Sequence, residues 1–300
     1  MSNAAHELAQ RLLERRTPDG GFAATAGGAA STESTALAGI ALGPESESGR
    51  AALAWLMARQ RPDGAWPLTD AVQAASWASA WALLALSNSA AGDEPLARAA
   101  QWLVQREGSR PSLFARTLGL ATGKRKRVEQ DPSLRGWPWH DGAASWAEPT
   151  ASALLALRRI DARVEVEGAP ARIEEGERLL WDRMCVGGGW NYGNRRVLGE
   201  ALEPFPDTTA LVLIALQGSQ LHHEIARSLA ALGALLAARA SSLSLALGAL
   251  AAELHGRDAT AFRQALELRI ERRGPPEETR ALAFGWLALA GGAAQLRVPS

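Results

Sequence analysis

One pattern recurs along this chain and limits its fold more than any other feature: a helix, a Gly-aromatic turn, then a second and more apolar helix. The turn appears as "ERRTPDGGF" (14–22), "ARQRPDGAW" (58–66) and "DRMCVGGGW" (182–190), with a looser copy, "DPSLRGWPW", at 131–139. The helices that follow are "STALAGIAL" (34–42), "ASAWALLAL" (78–86), "PTASALLAL" (149–157) and "TTALVLIAL" (208–216). Two more of the same apolar kind, "SLSLALGAL" (242–250) and "TRALAFGWLAL" (279–289), lack the Gly-aromatic turn. The chain therefore reads as six helix-turn-helix units.

Within each unit the first helix is amphipathic and the second is apolar nearly all round. A helix that is apolar on every side is buried on every side. Six such helices with amphipathic partners predict two concentric rings, the apolar ones inside. The expected fold is all-α, an α/α toroid of six helical hairpins, as a single domain over 1–300. An open solenoid of helix pairs is the competing architecture, but the terminal units lack the polar caps a solenoid needs. The long connections at 108–135 and 187–206 read as loops over one end.

Composition narrows the function. Hydrophobic residues make up 47% of the chain, enough for a large core, and 32 basic residues balance 32 acidic ones. A chain with no net charge has no global field for nucleic acid or an anionic membrane, so no nucleic-acid partner is expected. The single cysteine, Cys185, excludes an internal disulfide and fits a reducing cytoplasm. The N-terminal stretch places Ala5, Leu8, Ala9, Leu12 and Leu13 on one side of an amphipathic helix. No run of about 18 apolar residues occurs, so no membrane span is expected. A cytoplasmic location is expected.

Arg50-Ala51, Trp55-Leu56, Gln60, Gly64 and Trp66 resemble the QW repeat of squalene–hopene and oxidosqualene cyclases. The stretch 187–216 is similar to the cyclase region that holds the catalytic Asp motif. By this likeness the chain resembles the prenyltransferase/squalene-oxidase repeat group, well over about 1–217 and weakly beyond. The resemblance implies an α/α toroid in which glutamine and tryptophan tie helix ends together. An amide can both donate and accept at the unpaired backbone groups a helix end exposes.

The resemblance also implies where chemistry would sit. Class II cyclases protonate an alkene from the middle aspartate of Asp-x-Asp-Asp-Thr-Ala. The matching stretch is Phe205-Pro206-Asp207-Thr208-Thr209-Ala210. Asp207 takes the acid's place, while Phe205 and Thr208 replace the flanking aspartates. A lone carboxyl of pKa about 4 is a poor acid toward an alkene, so full class II cyclisation is not expected. An Asp-Asp-x-x-Asp run for magnesium and diphosphate is missing. Asp182, Cys185 and His140 are the nearest approach to the zinc ligands of protein prenyltransferases, but their spacing does not fit. The expectation is no metal and no cofactor.

Four inner helices begin with carboxylates: Glu33, Glu148, Asp207, and the pair Glu277-Glu278. Parallel inner helices would gather them at one mouth. Each also suits a helix N-terminus by charge alone, worth about 0.3–1 kcal/mol. Aromatic residues collect in the same units. Trp77, Trp81, Trp139, Trp146, Tyr192 and Phe205 are candidate ligand contacts, with Glu33 and Glu278, because π faces stabilise cations. Trp66 and Trp190 read instead as covers for hairpin ends, and Trp137 clusters with the aromatics beside the inner helix starts. The basic run at 123–127 reads as a solvated loop or an anion contact, and His222-His223 as solvent-facing.

Three functions are consistent with this sequence. In the first, the toroid holds an apolar, isoprenoid-like molecule in a central cavity, with Asp207 and Glu148 as the candidate catalytic residues. In the second, it is a non-catalytic scaffold for a protein partner. In the third, a carbohydrate-active enzyme, Glu148 and Asp207 form the carboxylate pair.

Overall fold

The computed structural model describes residues 2–109 and 130–299; the basic run at 123–127 lies outside them. The described residues form helices α1 (Asn3–Leu13), α2 (Thr32–Leu42), α3 (Glu47–Arg59), α4 (Ala78–Ser87), α5 (Asp93–Gln105), α6 (Ala147–Asp161), α7 (Ala169–Asp182), α8 (Pro206–Ala215), α9 (His222–Ala238), α10 (Ser242–Leu254), α11 (Thr260–Arg273) and α12 (Thr279–Leu289). Two small hairpins, β1 (Pro67–Thr69) with β2 (Val72–Ala75) and β3 (Arg196–Val197) with β4 (Glu200–Ala201), ride on the loops.

The even-numbered helices make a closed inner ring. Each packs on the next, from α2 through α4, α6, α8 and α10 to α12, and α12 packs back on α2. The ring closes because Ala and Leu dominate these segments. Both are strong helix formers, and the many alanines let neighbouring axes approach. Ala36, Ala38, Ala82, Ala85, Ala151, Ala210, Ala246 and Ala283 are buried. The odd-numbered helices form the outer ring. Each inner helix leans chiefly on the outer helix that follows it, and α1 packs on α12, so the first segment of the chain seals the last.

The turns before α2, α4, α6 and α8 are fastened by one repeated device. The backbone N–H of the turn aromatic donates to a hydroxyl of the following inner helix: Phe22 to Thr35 (2.9 Å), Trp66 to Ser79 (2.9 Å), Trp137 to Thr150 (3.0 Å) and Trp190 to Thr209 (2.9 Å). The indole N–H of each tryptophan donates to a carbonyl near the end of an earlier outer helix: Trp66 to Leu56 (2.7 Å), Trp137 to Leu103 (2.8 Å) and Trp190 to Leu180 (2.6 Å). These carbonyls belong to the last turn, where the regular i+4 partner is missing. Gln60 adds a third link. Its Nε2 donates to Gly64 O (3.1 Å) and to Pro95 O (2.8 Å) at the start of α5, and its Oε1 accepts from Arg98 (3.1 Å). Gly64 must be glycine: its φ is +91°, and a Cβ would lie 2.3 Å from Arg98 O.

Both ends of the axis are shut. At the far end, the 3₁₀ turn Gly292–Leu296 seats Leu296 and Ala293 in the core. Asn88 donates to Gln295 O (3.0 Å) and Gln217 to Leu296 O (2.9 Å), which fixes this plug. Along the axis, the middle turns of α2, α4, α6, α8 and α10 are buried on all sides. Trp81 of α4 and Phe284 of α12 meet edge to face at 5.8 Å in front of α2. Trp81 is 2% exposed and Phe284 0%. Side chains therefore fill the centre, as they do an ordinary protein core.

Candidate functional site

Half-buried polar residues gather in the first turns of the inner helices, at the end of the axis opposite the plug, and this end forms a shallow mouth. Every inner helix presents its N-terminus here, so the free amides and positive dipole ends point the same way. Glu33 starts α2, Glu148 starts α6, Asp207 starts α8 and Arg280 starts α12. Helices α6 and α12 stand opposite each other in the ring. Arg280 reaches across the opening between them: its guanidinium lies 3.6 Å from Glu33 and 3.5 Å from Glu148. Thr208 donates its hydroxyl to the other oxygen of Glu148 at 2.8 Å. One arginine and three carboxylates thus roof a filled axis.

The carboxylates differ in environment. Burial raises the pKa of Asp207, with Glu148 adding to the rise and Arg280 opposing it. Its Oδ1 is buried with no hydrogen-bond partner. Burial likewise raises Glu33, opposed by Arg280 and reinforced by Glu148 and Glu278. Glu148 accepts from the Thr208 hydroxyl and lies against the Arg280 guanidinium. Asp207 does not cap its helix: Phe205 is the N-cap residue, and no side-chain cap bond forms there.

The raised values carry a pH prediction. A carboxyl whose folded pKa lies above its unfolded one adds stability at pH below the unfolded value. It loses that contribution as pH rises through the folded value. The double variant Glu33→Gln/Asp207→Asn should therefore melt at about the wild-type temperature below pH about 4. It should melt higher than wild type at pH 7. Thermal melts at the two pH values check this, and a variant less stable at pH 7 than at low pH, relative to wild type, contradicts it.

The aromatics divide into three groups. Trp146, Tyr192 and Phe205 form a rank along the rim, Trp146 to Tyr192 at 5.9 Å and Tyr192 to Phe205 at 4.9 Å between ring centroids. Tyr192 is 52% exposed and Phe205 37%. The backbone sets this rank beside the carboxylates, because Ala147 N–H donates to Tyr192 O and Phe205 N–H to Trp190 O. Trp77 and Trp139 make a separate edge-to-face pair at 5.3 Å, with the Trp77 indole N–H buried and unpartnered. Trp81 corrects the expectation from sequence: it belongs to the filled axis and faces no opening. A helix apolar all round offers no face by which a cavity residue could be told from a core one. Glu278 lies exposed at the N-terminal edge of α12, and Glu277 pairs with Arg15 at 3.0 Å.

Arg280 is the site residue that the sequence reading missed. It is the one basic residue in the first turn of any inner helix, and that contrast was visible in "EETRA". The zinc-like residues do not assemble. Asp182 pairs with Arg183 and accepts from Asp131 N–H, Cys185 is buried in its turn, and His140 is exposed. Among the described residues no three His, Cys, Asp or Glu side chains are placed to hold a metal ion. His222 and His223 are exposed at the start of α9. No described helix is long and apolar enough to cross a membrane.

No family model matches the chain, and no curated protein matches it in sequence. Solved structures do match its fold. The type II terpene cyclase MstE from Scytonema superposes with a TM-score of 0.59 at 16% identity, covering 98% of each chain. The fold is a terpenoid-cyclase-like α/α toroid. The ent-copalyl diphosphate synthase from Streptomyces platensis matches with a TM-score of 0.58 at 16% identity, over 87% of this chain and 50% of that one. The toroid is shared more widely. An α-1,6-mannanase, GH76A of Salegentibacter, matches with a TM-score of 0.59 at 12% identity over 97% and 98% of the two chains. MstE has been solved with its substrate geranylgeranyl dihydroxybenzoate, and the mannanase with α-1,6-mannotriose. Identities this low establish the toroid and leave its use open.

Proposed function

We propose that this single-domain toroid binds a small, apolar-bodied ligand across its mouth, with an isoprenoid as the favoured class. The observation that carries the reading is the pairing, on one rim, of an exposed aromatic rank with a buried and partnerless carboxyl oxygen. Trp146, Tyr192 and Phe205 offer π faces to the body of the ligand. Asp207 offers a proton to its reactive or polar end, Glu148 lies beside it, and Arg280 balances the charge. Two flanking aspartates would strengthen Asp207 as an acid, and Phe205 and Thr208 stand in their places. Polyene cyclisation is accordingly not part of the proposal, and the filled axis offers no room to fold a long chain.

The scaffold reading keeps one observation in its favour. The tip of the β3–β4 hairpin exposes Leu198 (75%) and Val197 (44%), an apolar projection suited to a protein partner. Titration with farnesol, followed by tryptophan fluorescence, separates the two readings. The mouth site predicts saturable binding that Tyr192→Ala/Phe205→Ala weakens by roughly tenfold or more, since a buried aromatic side chain is worth about 1.5–3 kcal/mol. A scaffold predicts no saturation at all.

A further inference from the structure

The loop between α7 and α8 and the outer helix α9 enclose an apolar groove on the outside of the toroid. Its volume is about 530 Å³, with Ala231, Ala234, Leu235 and Ala238 of α9 on one wall and Val186 and Leu202 of the loop on the other. An outer helix ordinarily turns a charged face to water. Helix α9 instead carries no charged residue from Ser228 to Ala238, and Ala234 and Ala238 are exposed, as are Val186 and Leu202. Apolar residues scattered over a surface need no explanation, but an exposed groove lined by them marks an interaction site.

The β3–β4 hairpin borders this groove, since Ala201 of β4 lines it. At the hairpin tip, Leu198 has a φ of +54° and Gly199 a φ of +90°. These are the two left-handed positions of a two-residue hairpin turn, which Asn-Gly fills at least cost. Nothing within the chain gains from a leucine at the first of them: its side chain is exposed and its backbone is strained. Charge completes the pattern. Glu200, beside the tip, and Arg239, in the groove, are both exposed, and neither has a side-chain partner among the described residues. A patch that holds a projection and a socket side by side, with opposite unpaired charges on the two, is complementary to itself.

We propose that two copies of this chain associate about a two-fold axis, the Leu198 tip of each seated in the α9 groove of the other. Glu200 of each copy then lies against the partner's Arg239. Every contact forms twice, which closes the assembly at two copies. The pairing accounts for the exposed hairpin without a foreign partner, and it does not depend on what the mouth binds.

Sedimentation equilibrium of the full chain tests the pairing. Wild type should sediment at twice the chain mass at micromolar concentration. Leu198→Asn suits the left-handed turn, so it should keep the fold. It should weaken association by roughly tenfold or more, because it takes a leucine out of the interface. Ala234→Glu places a charge in the groove at an exposed position, and should give a monomer with an unchanged circular dichroism spectrum. Glu200→Arg and Arg239→Glu should each weaken the dimer, and Glu200→Arg/Arg239→Glu should restore it. That rescue requires the two residues to meet across copies, which a foreign partner at the same groove would not produce. A monomeric wild type, a dimer untouched by Leu198→Asn and Ala234→Glu, or charge reversal without rescue would overturn the proposal.

Discussion

Replacing Trp66 by alanine is expected to lower stability by about 3–5 kcal/mol, the usual cost of deleting a buried indole. Trp66 is 0% exposed, and its indole N–H is the donor that satisfies Leu56 O at the end of α3. Truncation leaves a cavity between the rings and an unpaired carbonyl next to it. The effect should propagate, because the same residue's backbone is fastened to Ser79 on α4. Trp66→Phe separates the two contributions: it keeps most of the volume and loses only the hydrogen bond, worth about 1 kcal/mol. Urea unfolding of the three proteins checks the order. Equal midpoints for Trp66→Ala and Trp66→Phe would show that packing around this turn is unimportant.

Arg172→Ala should have a comparable effect of about 3–5 kcal/mol, through a different cause. The Arg172 guanidinium is buried over the Trp137 ring, 3.7 Å from its centroid. It donates to three backbone carbonyls: Arg135 (3.0 Å), Arg106 (2.9 Å) and Gly136 (2.8 Å). One side chain thus joins the end of α5 and the loop before α6 to α7. Burial pushes its pKa down to about 10, so it stays charged at neutral pH. Removing it takes a donor from three backbone carbonyls, of which Gly136 O keeps the Gly108 N–H, and uncovers Trp137. Arg172→Lys keeps the charge but cannot span all three carbonyls, so it should recover only part of the loss. Full recovery by lysine in urea unfolding would mean that the charge, and not the fork of donors, holds the loop.

The two rings were legible because binary patterning sorted the helices. α2 reads as apolar in every direction, and it is buried in every direction. The threonines in "ESTAL", "EPTAS" and "DTTAL" were visible beside their carboxylates, yet their task was not. Thr35, Thr150 and Thr209 each accept the N–H of a turn aromatic 13 or 19 residues earlier. That link depends on chain geometry and leaves no local signature. The gathering of Glu33, Glu148 and Asp207 at one end was legible, since parallel inner helices must bring their first turns together. Arg280 went unnoticed because a single cation after two glutamates reads as ordinary surface charge. The plugged axis was hidden for two reasons. Trp81 looks the same in a core as beside a cavity, and nothing in "GGAAQLRVP" announces that the chain end folds under the ring.

The central claim is that the ligand site is the mouth and that the axis is core. A crystal structure of the protein with farnesol tests it most directly. The account predicts density along Trp146, Tyr192 and Phe205, with the hydroxyl end near Asp207 and Arg280 and with Trp81 and Phe284 still in contact. Density between Trp81 and Phe284 on the axis, or an empty mouth at a saturating concentration, would contradict it.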